Sequence, residues 1–151
     1  MSKFEIVKDS ARKFLGDIII IPQRATKDSA GYDFYSNEDY ELAPGEIYIF
    51  WTDVKVRLDP TMFLDLRIRS SLGFKGLMLA NNAGVIDSDY YSNVLNDGNI
   101  GVMVKNTNRG PFTIKKADRI AQGIITQYFI TEDDESRELR AGGIGSTNTF
   151  D

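Results

Sequence analysis

The sequence predicts an all-β fold. Apolar side chains alternate along 47–58, 62–69 and 100–104, the period of strands with one buried face. Turn signals separate these runs, at Pro44-Gly45, Asp59-Pro60, Asp97-Gly98 and Gly110-Pro111. Helical punctuation is scarce. At 151 residues the chain is long enough for one domain with its own core, and without cysteine it has no disulfide scaffold and no Cys-built zinc site. The net charge of -4 argues against a general nucleic-acid surface, so a substrate rich in phosphate must be met by a local basic pocket. The longest apolar run, Ile18 to Pro22, is too short to span a bilayer, and no secretory signal opens the sequence. A cytoplasmic protein without membrane or nucleic-acid partners is expected.

Residues 1–17 mix charges with single apolar residues, and Phe4, Ile6 and Phe14-Leu15 are the candidates to dock an opening strand. Ile18-Ile19-Ile20-Ile21 reads as a buried strand, because β-branched runs suit a sheet covered on both faces. Arg24 to Ser29 is polar and turn-like. In Ala30-Gly31-Tyr32-Asp33-Phe34, Gly31 marks a close backbone approach or a bend, and Asp33 reads as a surface carboxylate at a strand end. After the turn at Ala43-Pro44-Gly45-Glu46, Ile47, Ile49 and Trp51 share one face while Val54, Val56 and Leu58 fall on the other parity. That slip predicts a bulge or corner at Thr52-Asp53.

Met62, Leu64, Leu66 and Ile68 then alternate with Phe63, Asp65, Arg67 and Arg69, which puts Arg69 on the non-core face as the strand runs into Ser70-Ser71. A guanidinium can fork onto phosphate oxygens, and hydroxyls and freed backbone N–H groups add donors. Ser70 could equally cap a short helical turn through Leu72 to Lys75. The two readings are compatible, since a helix N-terminus attracts anions.

Leu77-Met78-Leu79 leads to Asn81-Asn82, read as the lip of a hairpin. In Gly84-Val85-Ile86-Asp87-Ser88-Asp89-Tyr90 an apolar approach delivers a carboxylate, a second carboxylate and an aromatic ring. A regular strand would point Asp87 and Tyr90 to opposite faces, whereas a tight turn through Ser88-Asp89 would bring them to one cavity. The chain has no His and no Cys, so hydrolytic chemistry must lean on a carboxylate, a hydroxyl or a metal-bound water. Asp87 is the natural base, with a solvated turn as the plain alternative. Val94 to Asn99 reads as an extra loop whose Asp97-Gly98 signals a hairpin turn. Ala117 to Ile130 reads as a strand, on which Gln122 alone would be an edge-strand surface amide. Residues 1–130 form the expected domain. Residues 131–151 form a charged linker and a glycine-rich tail, either floppy or a nest of N–H groups able to close over phosphates.

Five of these segments, in order, resemble the five motifs of the trimeric dUTPases: Ser29 to Asp33, Arg69 to Leu72, Gly84 to Tyr90, Ala117 to Gln122, and Gly142 to Thr147. The resemblance implies a distorted, jelly-roll-like β-barrel assembled as a homotrimer with an exchanged C-terminal tail. It implies hydrolysis of dUTP to dUMP and pyrophosphate by attack of water at the α-phosphate. Asp87 would be the base; Arg69, Ser70 and Ser71 would grip the phosphates; Gln122 would sit near the α-phosphate and the water. Asn81 would help read the uracil edge, and Tyr90 would pack against the deoxyribose. Arg140, or Arg137 in its place, with Gly143 and Ser146 would bring the tail to the phosphates, and Asp33 would hold the water shell of a substrate-bound Mg²⁺.

The chain departs from the family pattern at several places. Tyr91-Ser92-Asn93 stands where Arg-Gly and an acidic residue are usual, Val94 to Asn99 is inserted, Ala117 replaces a common Gly, and Ile144 replaces the aromatic lid. Two other functions fit parts of the sequence. A dCTP deaminase of the same fold needs a glutamate about where Met103 stands. A nucleotide-switched protein-binding regulator would use the 94–99 loop to meet a protein partner.

Overall fold

The computed structural model describes residues 1–137 and 140. In chain order its strands are β1 (Lys3–Ile6), β2 (Gln23–Arg24), β3 (Tyr32–Tyr35), β4 (Tyr40–Leu42), β5 (Ile47–Trp51), β6 (Val54–Arg57) and β7 (Met62–Ile68). The short helix α1 (Ser70–Gly73) follows, then β8 (Leu77–Leu79), β9 (Gly84–Asp87), β10 (Gly101–Asn106), β11 (Phe112–Ile114) and β12 (Arg119–Gln127). The largest sheet is ordered β2-β3-β12-β7-β9, beside a β5-β10-β8 sheet and the pairs β1-β6 and β11-β4. No helix among the described residues is long and apolar enough to cross a membrane.

The alternation of residues 62–68 does what its period requires: Leu64 and Leu66 are buried and Arg67 is exposed. Phe34, Phe50, Leu79, Ile100, Ile114 and Ile120 fill the same core. Burying each such side chain contributes about 1.5–3 kcal/mol before entropy is counted.

Four local expectations change. Ile18 to Ile21 lies in no strand; Ile19 is buried while Ile18 is 91% exposed. A β-branched run favours extended backbone, but a strand also needs a ladder partner, and none is supplied here. In β5 the inward residues are Tyr48 and Phe50, not Ile47, Ile49 and Trp51, so burial keeps even parity through Val54 and Val56. The corner at Thr52-Asp53 is present all the same, with Asp53 at φ 56°. Asp97 and Gly98 form a left-handed turn (φ 57° and 82°), yet they close no hairpin, because β9 pairs with β7 while β10 pairs with β5 and β8. Asn81-Asn82 likewise joins strands of different sheets.

The segment between β1 and β2 is fastened by side chains from far along the sequence. Buried Asp53 accepts the backbone N–H groups of Lys13 (2.9 Å) and Phe14 (2.8 Å) and the Asn99 amide (2.8 Å). Asn99 also donates to the Ala11 carbonyl at 3.1 Å, and Asp97 accepts the Lys8 N–H at 2.7 Å and the Lys55 ammonium at 2.8 Å. Buried carboxylates survive only when paired in this way.

Candidate active site

One group of candidate residues gathers at one end of the large sheet. Arg69 follows β7 and is the N-cap residue of α1, so Ser70 and Ser71 occupy the first helical turn and Ser70 does not cap it. The Arg69 carbonyl accepts the N–H groups of Leu72 and Gly73, both at 3.0 Å. Asp33 on β3 is not a surface carboxylate: it is 5% exposed and held between two guanidinium groups. Arg69 Nε lies 2.9 Å from one oxygen and Arg119 Nη1 lies 3.2 Å from the other.

A bulge in β12 makes this possible. The register shifts between Arg119, opposite Tyr35, and Ala121, opposite Phe34, so Ile120 and Ala121 are both buried. Arg119 can thus reach Asp33 while Gln122 lies directly across from it. Gln122 also faces Arg67 across β7, so β12 is an interior strand and Gln122 is not an edge amide. A Cβ on Gly31 would lie 2.6 Å from Gln122 Oε1, the close approach that the glycine permits. Arg119 had no assigned role in the sequence reading, because the bulge that turns it toward Asp33 leaves no pattern in the residues.

A second group surrounds Asp87, the last residue of β9, paired with Phe63 on β7. A 3-10 turn over Ser88–Tyr90 follows directly. Phe63, Val85, Asp87 and Tyr128 line a shallow, mainly apolar cleft of about 250 Å³. Arg140 bridges the two carboxylates, 2.5 Å from Asp87 Oδ2 and 2.8 Å from Asp89 Oδ1, with its guanidinium 6.0 Å from the Tyr90 ring centre. Tyr90 is 6% exposed, and burial pushes its phenol pKa up against the opposing effects of Asn96 and Arg140. Asn81 is exposed in the turn after β8. Gly143 and Ser146 lie outside the described residues.

The two groups do not meet within one chain. Arg69 stands six residues further along β7 than Phe63, the partner of Asp87. At about 3.3 Å per residue the base and the guanidinium pair are set roughly 20 Å apart along the strand.

Among the described residues no cluster of three or more His, Cys, Asp or Glu side chains could hold a metal ion. Both Asp33 oxygens already face guanidinium groups, although each keeps a lone pair for a water. The donor set fits an ion carried in on phosphates and touched through its water shell, not one caged by this chain.

Comparison with known proteins gives the family and the fold. The family model described as dUTPase matches residues 17–148. The deoxyuridine 5'-triphosphate nucleotidohydrolase of Lactococcus lactis is 38% identical over 147 residues, covering 95% of each chain. The human mitochondrial protein of that name is 37% identical, covering 83% of this chain and 49% of its own length. The crystal structure of dUTPase from Streptococcus mutans superposes with a TM-score of 0.74 at 32% identity, covering 85% of this chain and 98% of that one. The dUTPase of Staphylococcus bacteriophage 80alpha gives 0.70 at 25% identity over 92% and 97%, and belongs to the phage dUTPases described as controlling transfer of virulence genes by a proto-oncogenic G protein-like mechanism. With a family match across nearly the whole sequence and an all-β fold shared with these enzymes, the chain belongs to the dUTPase family.

Proposed function

We propose that this protein is a dUTP diphosphatase of the cytoplasm, converting dUTP and water to dUMP and pyrophosphate. The observation that carries the mechanism is the separation of the two residue groups at opposite ends of β7. One chain offers a carboxylate base beside an aromatic ring, and elsewhere a cluster of guanidinium, hydroxyl and amide donors. A homotrimer in which neighbours exchange these ends would complete each site.

In the assembled site Asp87 takes a proton from water as its oxygen attacks the α-phosphorus in line. The bond from that phosphorus to the bridging oxygen breaks, and the electron pair leaves with pyrophosphate. Arg69, Ser70, Ser71 and Gln122 from a neighbour meet the phosphate oxygens and stabilise the developing charge. Asp33 holds Arg69 in place and is the residue that would hold the water shell of a phosphate-borne Mg²⁺, which would supply neutralisation of triphosphate charge. Asn81 reads the base and Tyr90 packs against the deoxyribose. Arg140 occupies one oxygen of Asp87 and leaves the other open to a water; with Gly143 and Ser146 it would follow the tail to the phosphates.

Pyrophosphate release measured across the deoxynucleoside triphosphates and UTP tests the activity, with dUTP the expected substrate. Asp87→Asn should lose at least ~100-fold in turnover yet bind dUTP, since the amide keeps its shape but cannot take the proton. Co-refolding Asp87→Asn with Arg69→Ala chains should restore activity, because some mixed sites pair an intact base with an intact guanidinium. Mixed trimers no more active than the averaged parents would mean that each site is built within one chain.

A second reading, a nucleotide-switched protein partner, draws on the exposed Val94 and Leu95 at the tip of the inserted loop. The remainder of that loop is turned inward.

A further inference from the structure

The inserted loop encloses the hydroxyl of Tyr90. Asn96 Nδ2 donates to Tyr90 Oη at 2.8 Å, and Tyr90 Oη donates to the Asn99 carbonyl at 2.8 Å. Asn93 Nδ2 donates to the Tyr90 carbonyl at 2.9 Å and to Asn96 Oδ1 at 2.7 Å. Backbone donors fix the direction of every bond. The Gly98 N–H points to Asn96 Oδ1 at 3.1 Å, so the other end of that amide is the donor facing the phenol. The N–H groups of Leu95 and Asn96 point to Asn93 Oδ1, each at 3.1 Å, which leaves Asn93 Nδ2 to donate. With one acceptor site of the phenol filled by Asn96, its proton goes to Asn99.

Gly98 is needed for this closure. A Cβ there would stand 2.9 Å from the Tyr90 carbonyl oxygen and 3.1 Å from the Ser92 nitrogen, on a backbone at φ 82°. Asn93, Asp97 and Asn99 are buried, so the loop is a rigid support and not a solvated excursion.

We propose that Asn96 is a positioning residue for sugar discrimination: from the inserted loop it fixes the Tyr90 ring at the depth and tilt that leave no room for a 2′-hydroxyl. This rests on the reading that Tyr90 packs against the deoxyribose. A ring so nearly buried offers the sugar only a narrow face, so its position decides whether an added oxygen fits. Phenylalanine at 90 would keep the ring but release it from the loop.

The test compares kcat/KM for dUTP and for UTP in wild type, Asn96→Ala, Asn96→Asp, Tyr90→Phe, Tyr90→Ala and the Tyr90→Phe/Asn96→Ala double variant. Asn96→Asp keeps an oxygen for Gly98 and Asn93 but replaces the donor to the phenol with an acceptor, so it separates the phenol contact from loop integrity. Asn96→Ala and Asn96→Asp should each lower the dUTP/UTP ratio about threefold to tenfold, the effect of one lost buried hydrogen bond. In the Tyr90→Phe background, Asn96→Ala should change the ratio less than about twofold, because the contact is already absent. Two results would overturn the proposal: a ratio within about twofold of wild type in both Asn96 single variants, or an undiminished Asn96→Ala effect in Tyr90→Phe. An unchanged ratio in Tyr90→Ala removes the sugar-reading role of Tyr90 and the proposal with it, while a fall there with no effect at Asn96 removes the proposal alone.

Discussion

Replacing Asp33 with asparagine keeps the volume of the side chain and removes only its charge. One amide oxygen can still accept from Arg69, but the amide nitrogen then faces Arg119 Nη1 donor to donor across the present 3.2 Å contact. Charge-assisted hydrogen bonds are worth about 1.5–3 kcal/mol each. Arg119 is 45% exposed and recovers most of its loss from water, whereas Arg69, at 23%, recovers less. A net destabilisation of about 2 kcal/mol follows, which for a domain of this size lowers the melting temperature by roughly 4–8 °C.

The catalytic effect should be larger than the thermodynamic one. Two guanidinium groups freed from their common carboxylate repel one another, and a misplacement of about 1 Å at a reacting site can cost ~100-fold. Both guanidinium charges are kept, so if Arg69 grips the phosphates as proposed KM should move by less than about threefold while kcat falls by about 100-fold. Urea unfolding followed through Trp51, the single tryptophan, at matched protein concentration gives the stability change, and steady-state pyrophosphate release gives the kinetic one. A variant that matches wild type in kcat to about threefold would show that Asp33 does not organise Arg69 for the proposed phosphate grip.

Two further predictions concern the scaffold. Burial opposes ionisation of Asp97, but hydrogen bonds from Lys55 and the Lys8 amide outweigh it and hold the carboxyl below its usual range. A depressed folded-state pKa adds stability above the unfolded value of about 4 and loses it as pH falls through the folded one. Wild type should therefore exceed Asp97→Asn in unfolding free energy at neutral pH, with the gap closing below about pH 4; a gap independent of pH would assign the effect to packing. Ala117 sits at φ 68° where a Cβ is strained, so Ala117→Gly should raise the unfolding free energy by about 0.5–1 kcal/mol after glycine's greater unfolded freedom is set against the relief, read as a higher urea midpoint at unchanged m.

Much of this was readable from residue order, for stated physical reasons. The period of residues 62–68 identified β7 and its buried face because only one parity there is wholly apolar. In Ile47-Tyr48-Ile49-Phe50-Trp51 both parities are apolar, so period alone could not choose the inward face. Gly31 announced a close approach, but its object, Gln122, lies on a distant strand. The lack of His and Cys pointed to a carboxylate as the candidate base, but only the resemblance of Gly84 to Tyr90 to a family motif singled out Asp87 among the many carboxylates. The guanidinium clamp on Asp33 was hidden, since it depends on a bulge. The inserted loop misled most: Asn93, Asp97 and Asn99 carry the composition of a solvated turn, yet they are buried on partners as far back as Lys8. A polar residue's burial depends on what the rest of the chain brings to it.

The fastening of the early segment by Asp53, Asp97 and Asn99 has a consequence for synthesis on the ribosome. Lys13 and Phe14 emerge 40 and 39 residues ahead of their acceptor Asp53, and Lys8 emerges 89 residues ahead of Asp97. At about 5–20 residues per second the last of these intervals lasts roughly 4–18 s. During its first part β1 also lacks β6, the strand that covers its backbone donors. Residues 3–14 are thus translated early and secured late: until β6 emerges the opening strand is an uncovered edge within reach of neighbouring polysome products, and the Lys8 fastening waits longer still, for Asp97.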